Sequence, residues 1–225
     1  EIKKEKLRKR KNLDINNKIK VGTLNVRTLK KSENLEELEE AFLKSNISIL
    51  GLSEIRRQGE LMIKTQKGNL LFYKGNNIGQ RGVGFIIKKE YADMITEIRG
   101  INDRIAILEL ETKKTRVTCL QVYAPTSTAE EKEIDEFYDS VSREVKNIKE
   151  RKNIILIMGD WNSQIGKREK GEKSTIGKYG YGKRNERGWR LVRFCQEHNL
   201  KIMNGFYKKR MGRRWTWQAP NQEFR

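Results

Sequence analysis

The amino-acid sequence of 225 residues predicts a mixed α/β sandwich, in which helices cover the outside of two packed sheets. Two observations indicate this class. Some short apolar runs lie close together across turn-forming residues, as the strands of hairpins do. Other apolar runs are separated by long segments with helical periodicity, as in strand–helix–strand units.

The N-terminal part of the chain contains one predicted helix among four predicted strands. Leu35, Leu38 and Phe42 recur at a spacing of three or four residues, which predicts a helix over 33–45 with Ser32 as its N-cap. Apolar runs predict strands at 19–26, 47–52, 70–73 and 83–88. A segment rich in Gly and Asn joins the last two runs and predicts a turn.

The C-terminal part contains two predicted helices, over 130–149 and 187–198. Apolar runs predict strands at 104–111, 116–123, 154–158 and 200–203. The run at 154–158 is uninterrupted, so we expect it to be buried on both faces of its sheet. The segment 163–185 is rich in Gly and Lys and predicts a loop. We expect its part 167–183 to be mobile, and either to follow a DNA backbone or to be simply solvated.

The charge of the chain is concentrated at its two ends. The formal net charge is +19, from 49 basic and 30 acidic residues. Residues 1–20 carry nine basic and three acidic side chains, residues 161–225 carry 17 and five, and the remainder is almost balanced. This asymmetry indicates a polyanionic partner, and the aromatic residues among the C-terminal charges favour nucleic acid. For the basic tail 1–17, which we expect to be disordered, a solvated tail and a nuclear-targeting or backbone-binding tail remain alternatives.

The composition excludes several classes of protein. No run approaches the ~20 apolar residues of a membrane-spanning helix, and the N-terminal residues lack a secretory signal. Cys119 and Cys195 are too few for a disulfide framework, and with His198 they are too scattered for a zinc site. We therefore predict a nuclear or cytoplasmic protein without a membrane partner, and we interpret His198 as a helix-terminus residue.

Polar residues follow four of the predicted apolar strands. They are Asn25, Glu54, Tyr123 and the pair Asp160 and Asn162. Side chains at strand ends can converge on one edge of a sheet, where binding sites form. Carboxylates and amides suit a hard cation such as Mg²⁺, and they suit hydrolysis of a phosphate ester. Each residue alone also has a structural explanation, as a turn former, a surface charge or a rim aromatic.

The order of these motifs resembles the endonuclease/exonuclease/phosphatase superfamily. The resembling segments are Thr23–Thr28, Ser53–Glu54, Val122–Pro125 and Gly159–Asn162. Later segments, Asn185–Gly188 and Arg214–Trp217, are similar to the endonuclease domain of non-LTR retrotransposons and to craniofacial-development-protein-2-like proteins. The resemblance covers 18–225 and implies a four-layer α/β sandwich of the deoxyribonuclease I type.

The resemblance also implies a Mg²⁺-dependent endonuclease that nicks DNA, with Mn²⁺ as an alternative metal and no small-molecule cofactor. Glu54 and Asn25 would be the metal-side residues, and Tyr123, Asp160 and Asn162 the catalytic residues. Glu54 would bind the metal, Tyr123 would contact the scissile phosphate, Asp160 would orient or deprotonate water, and Asn162 would stabilise the transition state. Arg27 departs from the acid that repair enzymes carry at its position, which argues against abasic-site repair.

Candidate DNA-binding residues come partly from the resemblance and partly from charge. They are Arg81, Asn185, Arg187, Arg213, Arg214, Trp215 and Trp217. Arg81 lies in Gly79–Gly84, a glycine-rich segment that precedes a strand and therefore predicts a turn rather than a dinucleotide site. For Trp217, a core aromatic of the last sheet remains an alternative.

The sequence ends without the family's final motifs, an Ile-Asp-Tyr-like strand and a Ser-Asp-His. We therefore expect a C-terminally truncated domain that lacks its last strands and is weakly active or inactive. Two alternative functions remain. One is a catalytically dead nucleic-acid-binding fragment, and the other is a phosphoesterase that acts on a different phosphodiester or on a phosphomonoester.

Overall fold

The structure is a computed structural model that describes residues 18–210. The chain divides into two units, each with its own set of contacts. The first unit comprises Glu1–Ala124 and Lys146–Asp160, and the second comprises Pro125–Val145 and Trp161–Arg225. Among the described residues, both sheets lie in the first unit.

Sheet A has five strands, and two of them are parallel. In chain order the strands are β1 (Val21–Asn25), β2 (Ile49–Ser53), β3 (Glu60–Lys64), β4 (Leu70–Lys74) and β5 (Val83–Ile87). Their order in the sheet is β1-β2-β5-β4-β3. β1 and β2 run parallel, whereas β5, β4 and β3 pair in antiparallel fashion. The parallel pair therefore ends on one edge, where Asn25 is the last residue of β1 and Glu54 directly follows β2.

Helix α1 (Ser32–Lys44) covers one face of sheet A. Leu38 and Phe42 pack against side chains of β2, β4 and β5, such as Leu52 and Ile86. The prediction of Ser32 as N-cap is wrong, because Lys31 holds that position and makes no side-chain capping bond. Burial of the apolar stripe therefore fixes the helix start more strongly than a cap does.

Sheet B has four strands in the order β6-β7-β8-β9. They are β6 (Ile95–Asn102), β7 (Ile105–Glu111), β8 (Arg116–Tyr123) and β9 (Ile154–Asp160). The first three pair in antiparallel fashion, and β8 and β9 are parallel. Side chains on the face of sheet A opposite α1, such as Ile49 and Phe85, pack with Leu108 and Cys119 of sheet B. The two sheets are thus stacked, and an α/β sandwich is confirmed.

The second unit contains most of α2 (Glu131–Glu150) and all of α3 (Glu186–Glu197). The predicted apolar stripe of α2 is buried along its whole length: Ile134, Phe137, Val141, Val145 and Ile148. Rings of Phe137 and Tyr138 form edge and tilted contacts with Trp161 and Phe194, at centroid distances between 5.4 and 6.1 Å. The aromatic cluster supplies the core of this unit.

Most predicted elements are present, and the errors have physical causes. β9 is only partly buried and Ile154 is 50% exposed, because among the described strands β9 has a neighbour on one side only. The predicted strand at 200–203 is reduced to a single bridge between Ile202 and Ile176, followed by a 3₁₀ turn. β3 and β6 were not predicted, because β3 is mostly exposed and has only three apolar residues between Glu60 and Lys64, and polar residues interrupt β6. Among the described residues, no helix has the length and apolarity to cross a bilayer.

Candidate active site

Two parallel strand pairs, one in each sheet, bring the predicted site residues together. In sheet A, Asn25 at the end of β1 is in register with Ser53 at the end of β2, and Glu54 follows Ser53. In sheet B, Tyr123 at the end of β8 is in register with Asp160 at the end of β9. β1 also contacts β9, so both carboxyl ends meet. Four of the five predicted metal-side and catalytic residues therefore converge within the first unit.

Asn25 connects the two carboxylates of the site. Its Nδ2 donates to Glu54 Oε1 at 2.6 Å and to Asp160 Oδ2 at 3.1 Å. Its Oδ1 accepts from the backbone N–H of Arg27 at 3.0 Å, which fixes the orientation of the amide. The bridge holds two like charges close together, an arrangement that costs free energy unless a donor or a cation lies between them.

Glu54 is held in an unusual backbone conformation. Its φ is +56°, and Arg27 and Arg56 have φ of +58° and +59°. Non-glycine residues in this region cost of order 1–3 kcal/mol each, and they cluster at functional sites. Arg56 Nη2 donates to Glu54 Oε2 at 2.7 Å. The sequence did not single out Arg56, although its position two residues after the predicted metal-binding glutamate was a signal.

The Glu54 carboxylate is stabilised in its charged form. Its burial opposes ionisation, but hydrogen bonds from Asn25 and Arg56, the charge of Arg56 and a hydrogen bond from Tyr123 outweigh it. These contacts hold the pKa of Glu54 below its ordinary value. The side chain is 16% exposed, so the charge is available at the surface of the sheet edge.

Tyr123 lies beside Glu54, and its ring packs against the guanidinium of Arg104. Its hydroxyl is close enough to Glu54 to influence the pKa of that carboxyl, and the guanidinium of Arg104 lies 5.4 Å from the centroid of its ring. Burial raises the pKa of the Tyr123 phenol, the charges of Glu54 and Asp160 raise it further, and the charge of Arg104 opposes the shift. Arg104 Nη1 also donates to the Tyr123 carbonyl at 3.0 Å. Tyr123 is thus a neutral hydrogen-bond donor at neutral pH, and Arg104 is a second site residue that the sequence did not indicate.

A buried polar contact lies between the sheets beside the site. Gln121 of β8 donates to Ser53 Oγ at 2.9 Å and to Thr23 Oγ1 at 3.0 Å, and it has no exposed surface. Gly51 on β2 leaves room for it, because a Cβ there would lie 1.9 Å from Gln121 Oε1. In the sequence, this contact is visible only as one polar residue in each of three apolar strands, Thr23, Ser53 and Gln121. Gln121 thus connects β8, which ends at Tyr123, to β1, which ends at Asn25, and to β2, which precedes Glu54.

Asn162 follows Asp160 by two residues but belongs to the second unit. Its φ is +46°, a left-handed conformation that Asn tolerates better than most residues. Gly159 has φ of +140°, and a Cβ there would lie 1.9 Å from the Val122 carbonyl oxygen. Glycine is therefore required for the close approach of β9 to β8 directly before Asp160. The role of Asn162 at the site stays a prediction.

The residues at the site fit a hard divalent cation by their chemistry. Two carboxylates are within hydrogen-bond reach of one amide, and Mg²⁺ typically takes one or two carboxylates and several waters. As placed, Asn25 turns its NH₂ group toward the carboxylates, so Glu54 and Asp160 are the oxygen donors and ligation by Asn25 stays a prediction. Within residues 18–210, no group of three or more His, Cys, Asp or Glu side chains is placed to hold a metal.

The predicted DNA-binding residues have different surroundings. Arg81 is 38% exposed, and its Nη1 lies 3.8 Å from Asp103 Oδ2. Asn185 caps α3, because its Oδ1 accepts from the N–H of Gly188 at 2.8 Å. Arg187 is largely buried and pairs with Glu131 at 3.0 Å. A DNA contact by these three residues stays a prediction, and for Asn185 and Arg187 the structure provides a structural role.

Four further candidates, Arg213, Arg214, Trp215 and Trp217, lie outside the described residues. His198 has the predicted helix-terminus role, because it is the C-cap of α3. Its Nε2 lies 2.9 Å from Ser142 Oγ, and its ring is 4.6 Å from that of Phe194. His198 is therefore a buried structural residue of the second unit.

Comparison with curated proteins gives two related sequences from mammals. Craniofacial development protein 2 of Bos taurus is 30% identical over 205 residues, and that of Tragulus javanicus is 31% identical over 205 residues. The match covers 91% of this chain in both cases, and 34% and 35% of the relatives. The chain therefore spans about a third of the length of these relatives. No family model matches the chain.

Solved structures with a similar fold include two endonucleases. The endonuclease domain of TRAS1, a telomere-specific non-LTR retrotransposon, has a TM-score of 0.50 and 13% identity, covering 80% of this chain and 71% of the other. An AP endonuclease from Leishmania major has a TM-score of 0.53 and 11% identity, covering 79% of this chain and 65% of the other. At this identity the similarity establishes the fold, which is the one that the motifs implied.

Proposed function

Because this chain has the fold of the endonuclease/exonuclease/phosphatase superfamily, we propose that it is a metal-dependent phosphodiesterase that nicks DNA. The observation that carries the proposal is the pair of carboxylates, Glu54 and Asp160, bridged by Asn25 at the meeting edge of two sheets. The two curated relatives and the endonuclease structures are consistent with it. The excess of basic residues supports DNA as the substrate.

Glu54 and Asp160 would hold the metal side of the site. Their oxygens and the surrounding water suit Mg²⁺ or Mn²⁺. A bound divalent cation would supply positive charge that offsets the charge on the reacting phosphate. Because the pKa of Glu54 lies below its ordinary value, its carboxylate would be charged and able to bind a cation at neutral pH.

The remaining residues would position the reacting groups. Asp160 would orient the attacking water or take its proton, and Tyr123 would donate to a phosphate oxygen in place of Glu54. Asn162 would stabilise the oxygens of the transition state. Water then bonds to phosphorus, the bond between phosphorus and the 3′ oxygen breaks, and the leaving oxygen takes up a proton. The products would be a 3′ hydroxyl and a 5′ phosphate.

A role in retrotransposition would follow from these products. A free 3′ hydroxyl at a nick can prime reverse transcription, and we propose this target-site role for the nuclease. Such a role requires access to chromosomal DNA, so we propose nuclear location. The charge asymmetry alone also suits a second function, DNA binding without cleavage, and the experiment below separates the two.

Nicking of a supercoiled plasmid tests the proposal. In Mg²⁺ or Mn²⁺ we expect conversion to the open circle that a chelator stops. Asp160→Asn and Glu54→Gln each lower the rate by about 10²–10⁴-fold, as for loss of a group that acts in the transition state. Asp139→Asn and Glu36→Gln make the same chemical changes at exposed positions and leave the rate unchanged.

Two results would count against a nuclease. Nicking that survives both site substitutions would place the activity elsewhere or in a contaminant. Binding of the plasmid without nicking in either metal, both by this chain and by a chain extended through an Ile-Asp-Tyr-like strand and a Ser-Asp-His, would favour the second function. Substituted chains must keep the melting temperature of the parent chain, so that loss of rate is not loss of fold.

A further inference from the structure

A buried ion pair fastens the glycine- and lysine-rich residues 163–185, which we name the latched segment. The side chains of Glu172 and Arg184 are 7% and 3% exposed. Arg184 Nη1 donates to Glu172 Oε1 at 2.5 Å, and Nη2 donates to Oε2 at 2.7 Å. Arg184 also donates to the carbonyls of Ile165 at 2.7 Å and Lys167 at 3.0 Å. One guanidinium therefore binds three parts of the segment.

The middle of the latched segment is also tied down. Ile176 is buried and bridges Ile202, and the N–H of Tyr179 donates to the Gly205 carbonyl at 2.9 Å. Gly177 permits this approach, because a Cβ there would lie 2.2 Å from the Gly205 oxygen. The segment has almost no regular secondary structure, yet both its ends and its centre are fixed.

The fastened segment presents a basic surface. Its exposed basic residues outnumber its single exposed acid, Glu169, by six to one. They are Lys167, Arg168, Lys170, Lys173, Lys178 and Lys183. Glu172 and Arg184 are buried, and their opposite charges cancel, so neither adds to the charge of this surface. Cations held on a fixed backbone lose less entropy on binding an anion than cations on a mobile one.

An aromatic residue packs against Arg184, the residue that fixes the segment. The Arg184 guanidinium lies 4.3 Å from the centroid of the Trp189 ring, yet the Trp189 residue is 43% exposed. Tyr181 of the latched segment is 36% exposed. A rigid aromatic among phosphate-binding cations is the combination by which proteins hold unpaired bases. In a duplex the paired bases stack on one another, so their faces are not accessible to an aromatic side chain.

We infer that the latched segment and Trp189 form a binding surface for single-stranded nucleic acid, in which a base stacks on Trp189 and phosphates contact the exposed lysines. Arg184 is a positioning residue that holds both the segment and the indole ring. The inference shares a nucleic-acid partner with the proposed function. It requires neither metal nor the carboxylate site, so it is measured in a chelator and with Glu54→Gln, which separates its failure from that of the nuclease proposal.

Fluorescence anisotropy with a labelled oligothymidine and a duplex of equal length tests the surface. Trp189→Ala weakens single-strand binding about tenfold, in keeping with one lost base stack, and changes duplex binding less than twofold. Trp189→Phe retains an aromatic face and recovers most of the affinity. Tyr207→Ala removes another exposed aromatic of the second unit and leaves the affinity unchanged.

The contributions of the exposed lysines and of the Glu172–Arg184 ion pair are measured separately. Lys167→Gln with Lys170→Gln lowers the slope of log Kd against log salt concentration by about 1.4, because each phosphate contact with a single strand contributes about 0.7. Glu172→Gln weakens single-strand binding and opens the segment to trypsin, whereas Glu36→Gln, the same change at an exposed position of the first unit, does neither. Unchanged single-strand binding by Trp189→Ala, or no binding by the parent chain at low salt, would overturn the inference.

Discussion

Asn25 is the residue on which the geometry of the carboxylate site depends. Its single amide donates to Glu54 and to Asp160, which come from different sheets. Hydrogen bonds from Asn25 and Arg56 leave Glu54 charged, and burial together with the charges of Glu54 and Asp160 keeps Tyr123 protonated. The pKa of Glu54 thus falls while that of the Tyr123 phenol rises. At neutral pH Glu54 is therefore an anion, and Tyr123 beside it is a neutral hydrogen-bond donor.

The Tyr123 phenol is expected to titrate above its ordinary pKa of 10.0. Ultraviolet titration of the parent chain and of Tyr123→Phe, subtracted from one another, isolates this residue. We expect a midpoint above that value, and a lower midpoint when Glu54→Gln removes the nearest negative charge. Tyr123→Phe also slows nicking at least tenfold. A difference midpoint at or below the ordinary value would contradict the contact with Glu54.

At the scale of elements, the site exists because each sheet contains one parallel strand pair. β1 with β2 and β8 with β9 end at the same edge, whereas every antiparallel neighbour runs the other way. The apolar interface between the two sheets contains a polar contact, in which Gln121 donates to Thr23 and Ser53. A buried polar contact of this kind holds the sheets in one register, since a shift leaves its groups without partners.

Replacing Gln121 with Leu is expected to lower the free energy of unfolding by about 1–3 kcal/mol, because Thr23 and Ser53 lose a buried partner. Urea denaturation measures the change. Gln196→Leu, on the exposed face of α3, is the matched control and should change stability by less than about 0.5 kcal/mol. Equal stability of Gln121→Leu and the parent chain would show that the contact does not hold the sheets.

At the scale of the whole molecule, each of the two units has a core of its own. Stacked sheets supply the core of the first, and the aromatic cluster around Trp161 supplies the core of the second. Each core contains one cysteine, Cys119 in the first unit and Cys195 in the second. Burial raises the pKa of both thiols to about 12.

Both cysteines are therefore expected to resist alkylation in the native protein at neutral pH, because burial blocks access and disfavours the reactive thiolate. Mass spectrometry of peptides after iodoacetamide treatment assigns the label to each site. Both thiols should react fully in concentrated urea, so each reports the opening of its own unit. Stoichiometric labelling of either cysteine within minutes in native buffer would mean that its unit is open.

Much of the fold could be predicted because local patterns are strong where burial is continuous. The apolar stripe of α2 and the all-buried β2 and β5 were identified, and so was the order of polar residues after four strands. The elements that were missed, β3 and β6, have polar residues on partly exposed faces, where periodicity is weak. The predicted Ser32 cap failed because packing outweighs a single capping bond.

The sequence by itself determined the class of fold, the set of strand-end residues and the position of the charge, since these follow from residue type and periodicity. Only the tertiary structure decided that Asn25 bridges Glu54 and Asp160, that Gln121 joins the sheets, and that Arg184 fastens a segment without regular structure. Each of these contacts joins residues far apart in the chain or without periodic pattern. Their distances depend on how strands and loops pack in space, and no local property of the sequence encodes that.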